Sequence, residues 1–145
     1  LAAFCAFLGD LAHCTDYRLL SSAEVRGDHH AGGTNPIADA VEDIVARAND
    51  AITLSEFASR HGMSESRFSR LFQRSTGNSF TDFVNRVRVG QACQLLMESD
   101  LRVTDICYQV GFNNVSNFNR RFLEIKGMTP RDFRRGAARR FGGQG

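Results

Sequence analysis

The chain contains one pattern of residues twice, and this internal repeat limits the folds open to it. A shift of 50 aligns residues 68–72 with residues 118–122, and it aligns Gly77 with Gly127. A shift of 49 aligns the upstream positions Leu54, Phe57, Ala58 and Gly62 with Val103, Ile106, Cys107 and Gly111. Each copy has the pattern of a short helix, a turn with glycine and a longer helix, which is a helix-turn-helix unit. Because no strand pattern of comparable strength is present, we predict an all-α fold of two such units joined by a long helix.

Helix caps and glycines place the boundaries of the predicted elements. A side-chain oxygen at a helix start accepts backbone N–H groups, and a glycine at a helix end adopts the left-handed conformation. Predicted starts lie at Asn35, Thr53, Ser64, Ser79, Asn113 and Thr129, and predicted stops lie at Gly62, Gly77, Gly111 and Gly127. The predicted parts are a first helix-turn-helix lobe at residues 36–78, a connecting helix at residues 79–99, a second lobe at residues 100–135 and a flexible tail at residues 136–145.

The part of the chain ahead of this repeat has a different pattern. Residues 1–20 place Phe4, Phe7 and Leu11 on one helical stripe. They lack a basic start, and their apolar run is too short to span a bilayer. We interpret them as the end of an upstream domain or as a dimerisation or docking helix. Residues 21–35 are small, polar and contain glycine, which predicts a linker.

Composition argues against several classes of protein. With 42% hydrophobic and 23% charged residues among 145, the chain is typical of one globular domain rather than of a disordered or fibrous chain. The four cysteines include no CxxC pair, so we expect reduced thiols rather than a zinc cluster or a disulfide framework, which favours the cytoplasm. An enzyme would have to use Cys14 beside His13, or Cys5, as its nucleophile, and adjacent helical positions do not face each other. We therefore expect no catalytic residue, metal or cofactor.

The second helix of each copy has one apolar face and one polar face. Phe68 and Phe72 in the first copy, and Phe118 and Phe122 in the second, fall at core positions. The opposite faces carry Ser66, Arg67, Ser69, Arg70 and Arg74 in the first copy and Val115, Ser116, Asn117, Asn119, Arg120 and Arg121 in the second. Arginine suits guanine, asparagine suits adenine, and valine suits the methyl group of thymine. A solvated face is the alternative, but recurrence of the pattern on the same helix of both copies favours DNA.

Positive charge is concentrated around the same two helices, although the net charge is only +2. Residues 36–56 carry a net charge of −4, whereas residues 64–88 carry +3 and residues 102–135 carry +4. Such basic segments are attracted to the phosphate backbone of DNA. A connecting helix of about 20 residues spans about 30 Å, close to the separation of about 34 Å between successive major-groove faces. We therefore predict that the two second helices enter adjacent segments of the major groove.

Two stretches within the repeat are distinctive, SRFSRLFQRSTGNSFTDFVNRVRV and VTDICYQVGFNNVSNFNRRFLEIKGMTPRDFR. Together with the paired units, they make residues 36–135 resemble the DNA-binding domain of the AraC/XylS family of bacterial transcription regulators. The resemblance implies a homeodomain-like, two-lobed domain of seven helices that binds specific double-stranded DNA, usually as an activator in contact with RNA polymerase. It also implies a bacterial protein of the cytoplasm, located at the nucleoid and not at a membrane. An upstream effector domain such as a cupin-like barrel would form a homodimer.

The resemblance also implies which residues contact DNA. Base contacts would fall to Ser66, Ser69 and Arg70 in the first lobe and to Val115, Ser116, Asn117, Asn119 and Arg120 in the second. Phosphate contacts would come from Arg74, Arg121 and backbone N–H groups at the helix starts near Thr104 and Thr129. Ser66 and Ser69 are smaller than the side chains usual in the family, so we expect readout by the first lobe to depend mainly on Arg67 and Arg70. Arg102 stands where a serine or threonine cap is common, so we expect the fifth helix to start less firmly.

Two other functions fit the same fold. One is an architectural protein that binds DNA without regard to sequence, and the other is a module that binds proteins instead of DNA. Competition with unrelated DNA at fixed salt concentration separates the architectural protein from a sequence-specific regulator.

Overall fold

Helices account for all the regular structure in the described part of the chain. The computed structural model describes residues 35–141, which contain seven α-helices and no strand. In chain order these are α1 (Pro36–Arg47), α2 (Leu54–Arg60), α3 (Glu65–Thr76), α4 (Phe80–Glu98), α5 (Val103–Gln109), α6 (Val115–Lys126) and α7 (Pro130–Phe141). The all-α prediction is therefore confirmed, whereas the predictions for residues 1–34 lie outside the described residues. Among these seven helices, none is long and apolar enough to cross a membrane.

The described residues form two compact units, and the division between them falls inside α4, between Val84 and Asn85. Each unit contains one helix-turn-helix pair, α2 with α3 in the first and α5 with α6 in the second. The helix α4 is unbroken over its 19 residues. The predicted connecting helix at residues 79–99 therefore contributes its first residues to one unit and its remaining residues to the other.

Phenylalanine rings fill the centre of the first unit. The ring centroids of Phe57 and Phe80 lie 5.2 Å apart, and those of Phe72 and Phe83 lie 5.4 Å apart. Phe68 is fully buried and packs against Phe72, with their centroids 6.0 Å apart. The helix α1 covers this core with the buried side chains Ile37, Ala40 and Ile44. Because the two phenylalanines of α3 point into the core, the opposite side of α3 faces solvent.

Ion pairs hold α1 against α2. Arg47 Nη1 donates to Glu56 Oε1 at 3.1 Å and to Asp43 Oδ2 at 3.2 Å. Arg60 of α2 also donates to Asp43 of α1. The hydrogen bond to Glu56 raises the pKa of Arg47 above its usual value. Part of the negative charge of residues 36–56 is therefore neutralised by ion pairs within the first unit.

The second unit buries a similar set of rings. Phe118 and Phe122 of α6 are fully buried. Phe112 packs against Phe118 with ring centroids 5.2 Å apart, and Phe133 of α7 packs against Phe122 at 5.7 Å. The other buried members are Val89, Ala92, Cys93, Leu96, Ile106, Cys107 and Val110. The same elements, a pair of phenylalanines on the second helix and a glycine-containing turn before it, thus organise both units.

Two of the four cysteines, Cys93 and Cys107, lie in the described part of the chain. Cys93 and Cys107 form no disulfide, and both are buried in the second core. Burial raises the pKa of the Cys107 thiol above its usual value, because the charged thiolate is disfavoured away from water. A protonated thiol of this kind behaves as a small apolar side chain.

An arginine of α7 caps the end of α4. Arg134 Nε donates to the Leu96 carbonyl at 3.2 Å, and Arg134 Nη2 donates to the carbonyls of Ser99 at 3.3 Å and Leu101 at 2.7 Å. The last carbonyls of a helix have no partner within the helix and favour a nearby cation. Arg134, which the charge count assigned to a DNA-attracting surface, therefore has a structural role.

The helix α7 continues to Phe141, beyond the predicted boundary at residue 135. Residues 136–141, which were predicted to belong to a flexible tail, are therefore helical. A glycine inside a helix, here Gly136, costs about 1 kcal/mol relative to alanine. Phe133 and Arg134 attach the preceding turn to the second unit, and these contacts offset that cost.

Candidate nucleic-acid interface

The turn between α2 and α3 is fixed by a glycine and two hydrogen bonds. Gly62 has a φ of +64°, which side-chain-bearing residues rarely adopt. The Met63 N–H donates to the Ala58 carbonyl at 2.9 Å, which closes the turn. The Ser64 hydroxyl then accepts the Arg67 N–H at 3.3 Å and begins α3. The predicted glycine turn and Ser64 cap are confirmed.

The side of α3 away from the core is polar and basic. Ser66, Arg67, Arg70 and Arg74 are exposed there, and Ser69 is half-buried at its edge. The only acidic residue within α3 lies in its first turn. The structure thus brings the predicted base-contacting residues of the first lobe onto one accessible face, which carries an excess of positive charge.

The helix α6 is capped by Asn114 rather than by the predicted Asn113. The Asn114 side-chain oxygen accepts the Asn117 N–H at 3.0 Å. Both asparagines can act as caps, so the sequence alone does not decide between them. The turn before α6 determines which asparagine is the cap. In this turn Gly111 has a φ of +104°, and the Phe112 N–H donates to the Cys107 carbonyl of α5 at 3.1 Å. These contacts set the turn length so that the cap position falls at residue 114.

The side of α6 away from the core is polar but less uniform than that of α3. Ser116, Asn119 and Arg120 are exposed, and Asn117 is half-buried. Val115 is half-buried and packs against the second core, so it lies at the border of this face rather than on it. The four polar residues predicted to contact bases in the second lobe are therefore together, and the valine is less accessible than expected.

Arg120 is held in place by two neighbours on α6. Its Nη2 donates to Asn117 Oδ1 at 3.0 Å, and its Nη1 lies 3.6 Å from Glu124 Oε1. The other carboxylate oxygen, Glu124 Oε2, accepts from Arg121 Nη1 at 3.2 Å. Sequence reasoning missed Glu124 as a functional candidate. Its spacing of three and four residues from the two arginines is the signal that could have identified it.

The predicted phosphate-contacting residues lie on several helices. Arg74 and Thr104 are exposed, and Arg121 is half-buried. Thr129 is exposed at the start of α7, where its hydroxyl donates to an Asp132 carboxylate oxygen at 2.8 Å and accepts the Asp132 N–H at 3.2 Å. The threonine side chain is thus engaged as a helix cap, and the backbone N–H groups near it are what could meet a phosphate.

Some of the basic residues near these faces are directed inward or have other roles. The Arg88 guanidinium carbon lies 5.7 Å from the centre of the Phe112 ring, and burial lowers the pKa of Arg88. Arg102 makes no side-chain hydrogen bond at the start of α5, as expected from the absence of serine or threonine there. The positive charge that a ligand can reach is therefore smaller than a count of arginines suggests, and the exposed arginines lie on α7 as well as on α3 and α6.

Comparisons with known sequences identify the family. Residues 57–136 match the model of the family described as "Helix-turn-helix domain". A protein described as an uncharacterized HTH-type transcriptional regulator of Staphylococcus aureus is 34% identical over 100 residues, which are 69% of this chain and 13% of that protein. The HTH-type transcriptional regulator YtdP of Bacillus subtilis strain 168 is 34% identical over 83 residues, which are 57% of this chain and 11% of that protein. This chain thus spans only 11–13% of the length of these two relatives.

Solved structures have a similar fold. The DNA-binding domain of AdpA, a global transcriptional factor solved in complex with a target DNA, has a TM-score of 0.71 and 27% identity and covers 77% of this chain and 100% of that one. A probable AraC family transcriptional regulator from Rhodopseudomonas palustris CGA009 has a TM-score of 0.66 and 29% identity and covers 72% of this chain and 98% of that one. With a family model matched over residues 57–136 and these structural neighbours, the chain belongs to the AraC-type helix-turn-helix family of transcriptional regulators.

Proposed function

We propose that this chain binds a specific double-stranded DNA sequence by placing α3 and α6 in the major groove. The observation that carries the proposal is that both helices bury phenylalanines on one side and expose arginine with serine or asparagine on the other. A helix anchored in this way presents its exposed side chains to the base edges of the groove. The similarity to the AdpA domain, which was solved with a target DNA, supports the proposal.

In this proposal the two helices contribute contacts of different chemistry. The first helix offers arginines for guanine and two small hydroxyls, and the second offers asparagines for adenine and one arginine for guanine. The base-contacting set is Ser66, Arg67, Ser69 and Arg70 on α3 and Val115, Ser116, Asn117, Asn119 and Arg120 on α6. The phosphate-contacting set is Arg74, Arg121 and the backbone near Thr104 and Thr129.

We further propose that the two helices read adjacent segments of one duplex. The helix α4 has 19 residues. At about 1.5 Å per residue it spans about 28 Å, which is close to the length of about 34 Å of one turn of B-DNA. One chain would then read two groove segments, as a dimer of single helix-turn-helix proteins does.

The chain is proposed to be the DNA-binding module of a longer bacterial regulator. The great length of the relatives it matches supports this view. In this proposal residues 1–20 are either the end of an upstream domain that senses an effector and forms a homodimer, or a dimerisation or docking helix, and residues 21–35 are a linker. The module would act at the nucleoid in the cytoplasm, contact RNA polymerase as an activator and catalyse no reaction.

The proposed function is tested by selecting bound duplexes from a random pool. The dissociation constants are then measured at one salt concentration for the selected site and for a shuffled duplex of equal length and composition. We expect the selected site to bind more tightly by a factor of at least about a thousand. The double variant R70A/R120A should lose this preference, whereas R139A, which removes an exposed charge of α7, should keep it.

The alternatives give different results in the same experiment. Equal affinity for the selected and the shuffled duplex would identify a sequence-neutral architectural protein. Absence of binding to both duplexes at low salt would identify a protein-interaction module, because phosphate contacts alone support weak binding under these conditions.

A further inference from the structure

We propose that Glu124 is a specificity-determining residue of the second unit. By pairing with the arginines of α6, its carboxylate positions Arg120 for a base contact and weakens binding to unrelated DNA. The inference deepens the proposed function and rests on α6 reading the major groove.

Glu124 lies between two arginines on the exposed part of α6. Its Oε1 is 3.6 Å from Arg120 Nη1, and its Oε2 is 3.2 Å from Arg121 Nη1. The Arg120 guanidinium also donates to Asn117 at 3.0 Å. The exposed fraction of the Arg120 side chain is 62%, compared with 28% for Arg121. The Arg120 guanidinium is therefore restrained from two directions and remains accessible to a ligand.

An accessible arginine can bind a phosphate or a base edge, and these two contacts differ in what they recognise. Phosphate contacts are the same on every sequence and supply most of the non-specific affinity. A guanine contact requires the planar guanidinium to face the O6 and N7 atoms of the base. Restraint of Arg120 by Asn117 and Glu124 reduces the conformational entropy that an oriented contact would lose. The interaction geometry therefore favours the base contact.

The Glu124 carboxylate also weakens binding to duplexes that lack the matching base. A negative charge on the DNA-facing side of α6 is repelled by the phosphate backbone, and this repulsion is present on every duplex. Only a duplex with the matching base compensates for it through the oriented arginine. Discrimination depends on the difference between the two affinities, so an element that weakens unrelated binding raises specificity.

The first unit has no such carboxylate at the matching position. The shift of 50 residues that aligns the two units places Arg70 on Arg120 and Arg74 on Glu124. On α3, the positive charge of Arg74 thus follows Arg70. On α6, the negative charge of Glu124 follows Arg120 at the same spacing. The restraint is therefore a property of α6 and not of the repeated scaffold.

The test compares E124Q with the matched control E98Q. Glu98 is exposed on α4 in the same unit and accepts hydrogen bonds from Gln94 at 3.3 and 3.4 Å. Its substitution removes the same charge from a helix other than α6. For the native chain and both variants, the dissociation constants of the selected and the shuffled duplex are measured over a range of salt concentrations. Thermal unfolding of each variant checks that the fold is intact.

We expect E124Q to bind the shuffled duplex more tightly and to lower the ratio of the two affinities by about three- to fivefold, the upper range for an exposed ion pair. The salt dependence on the shuffled duplex should become steeper by about one phosphate contact, because Arg120 becomes available to the backbone. The E98Q variant should retain the native ratio. A purely structural role of Glu124 would change the unfolding temperature and not the salt dependence.

Two outcomes overturn the inference while the proposed function stands. In one, the native chain prefers the selected site and E124Q has the same preference. In the other, E98Q loses as much preference as E124Q, which would make the effect one of net charge. If the native chain has no preference for any duplex, both the inference and the proposed function are wrong.

Discussion

The two helix-turn-helix units bury the same framework and expose different surfaces. Phe68 and Phe72 in the first unit, and Phe118 and Phe122 in the second, are all fully buried at matching positions. The exposed face of α3 carries three arginines, whereas Arg120 on the exposed face of α6 contacts an amide and a carboxylate. A repeated scaffold thus requires the same buried side chains in each copy, while its exposed positions can differ. Core substitutions should therefore have equal effects in the two units, and surface substitutions should not.

The largest expected effect tests whether the framework is shared. Phe68→Ala and Phe118→Ala should each lower the free energy of unfolding by about 3–5 kcal/mol, because each removes a fully buried ring and leaves a cavity. Denaturant unfolding monitored by circular dichroism gives this quantity. Leu123→Ala is the control on α6, since the leucine is 49% exposed and should change the free energy by less than about 0.5 kcal/mol. A nearly silent result at one phenylalanine would show that the two cores are organised differently.

The second effect tests the difference between the two exposed faces. Arg120→Ala should weaken binding to the selected site by about 1–3 kcal/mol and relax the preference at one base pair. Arg74→Ala should weaken binding to all sequences alike and reduce the salt slope by about one. Titrations of the selected site and its single-base variants at several salt concentrations distinguish these results. Equal weakening on all sequences would assign Arg120 to the phosphate contacts, and an unchanged slope would show that Arg74 touches no phosphate.

The smallest effect concerns the starts of the two helices. Loss of a side-chain cap costs about 1 kcal/mol, and we expect this decrease in the free energy of unfolding for both Ser64→Ala and Asn114→Ala. Asn113→Ala should change it by less than about 0.5 kcal/mol, because Asn114 and not Asn113 accepts the N–H of Asn117. The same denaturant unfolding experiment measures the free energy of unfolding of these three variants. A larger loss at Asn113 than at Asn114 would move the start of α6 by one residue.

Local signals in the sequence predicted most of the fold. The buried phenylalanines follow from helical periodicity, and the turns follow from Gly62 and Gly111, because both kinds of signal depend on residues only a few positions apart. The choice between Asn113 and Asn114 depends on the exact length of the turn, which periodicity does not give. The half-buried position of Val115 follows from its packing against a core built from α4, α5 and α6. Tertiary contacts thus decided what the local patterns left open.

The exposed faces of α3 and α6 could be predicted from the sequence, whereas the pairing of side chains on α6 could not. The exposed residues of α3 and α6 follow from their positions opposite the phenylalanines. The sharing of Glu124 between Arg120 and Arg121 depends on side-chain conformations, which residue spacing permits but does not specify. The role of Arg134 could not be predicted from local patterns, because its hydrogen-bond partners lie 33 to 38 residues earlier in the chain.

The attachment of Arg134 to the carbonyls at the end of α4 has a consequence for how this module can be cut or fused. A fragment that stops before this arginine would still contain α3 and α6, yet the carbonyls at the α4 terminus would lose their charged donor. The minimal independently stable piece must therefore extend past residue 134, and a fused partner is best joined beyond Phe141, where α7 ends.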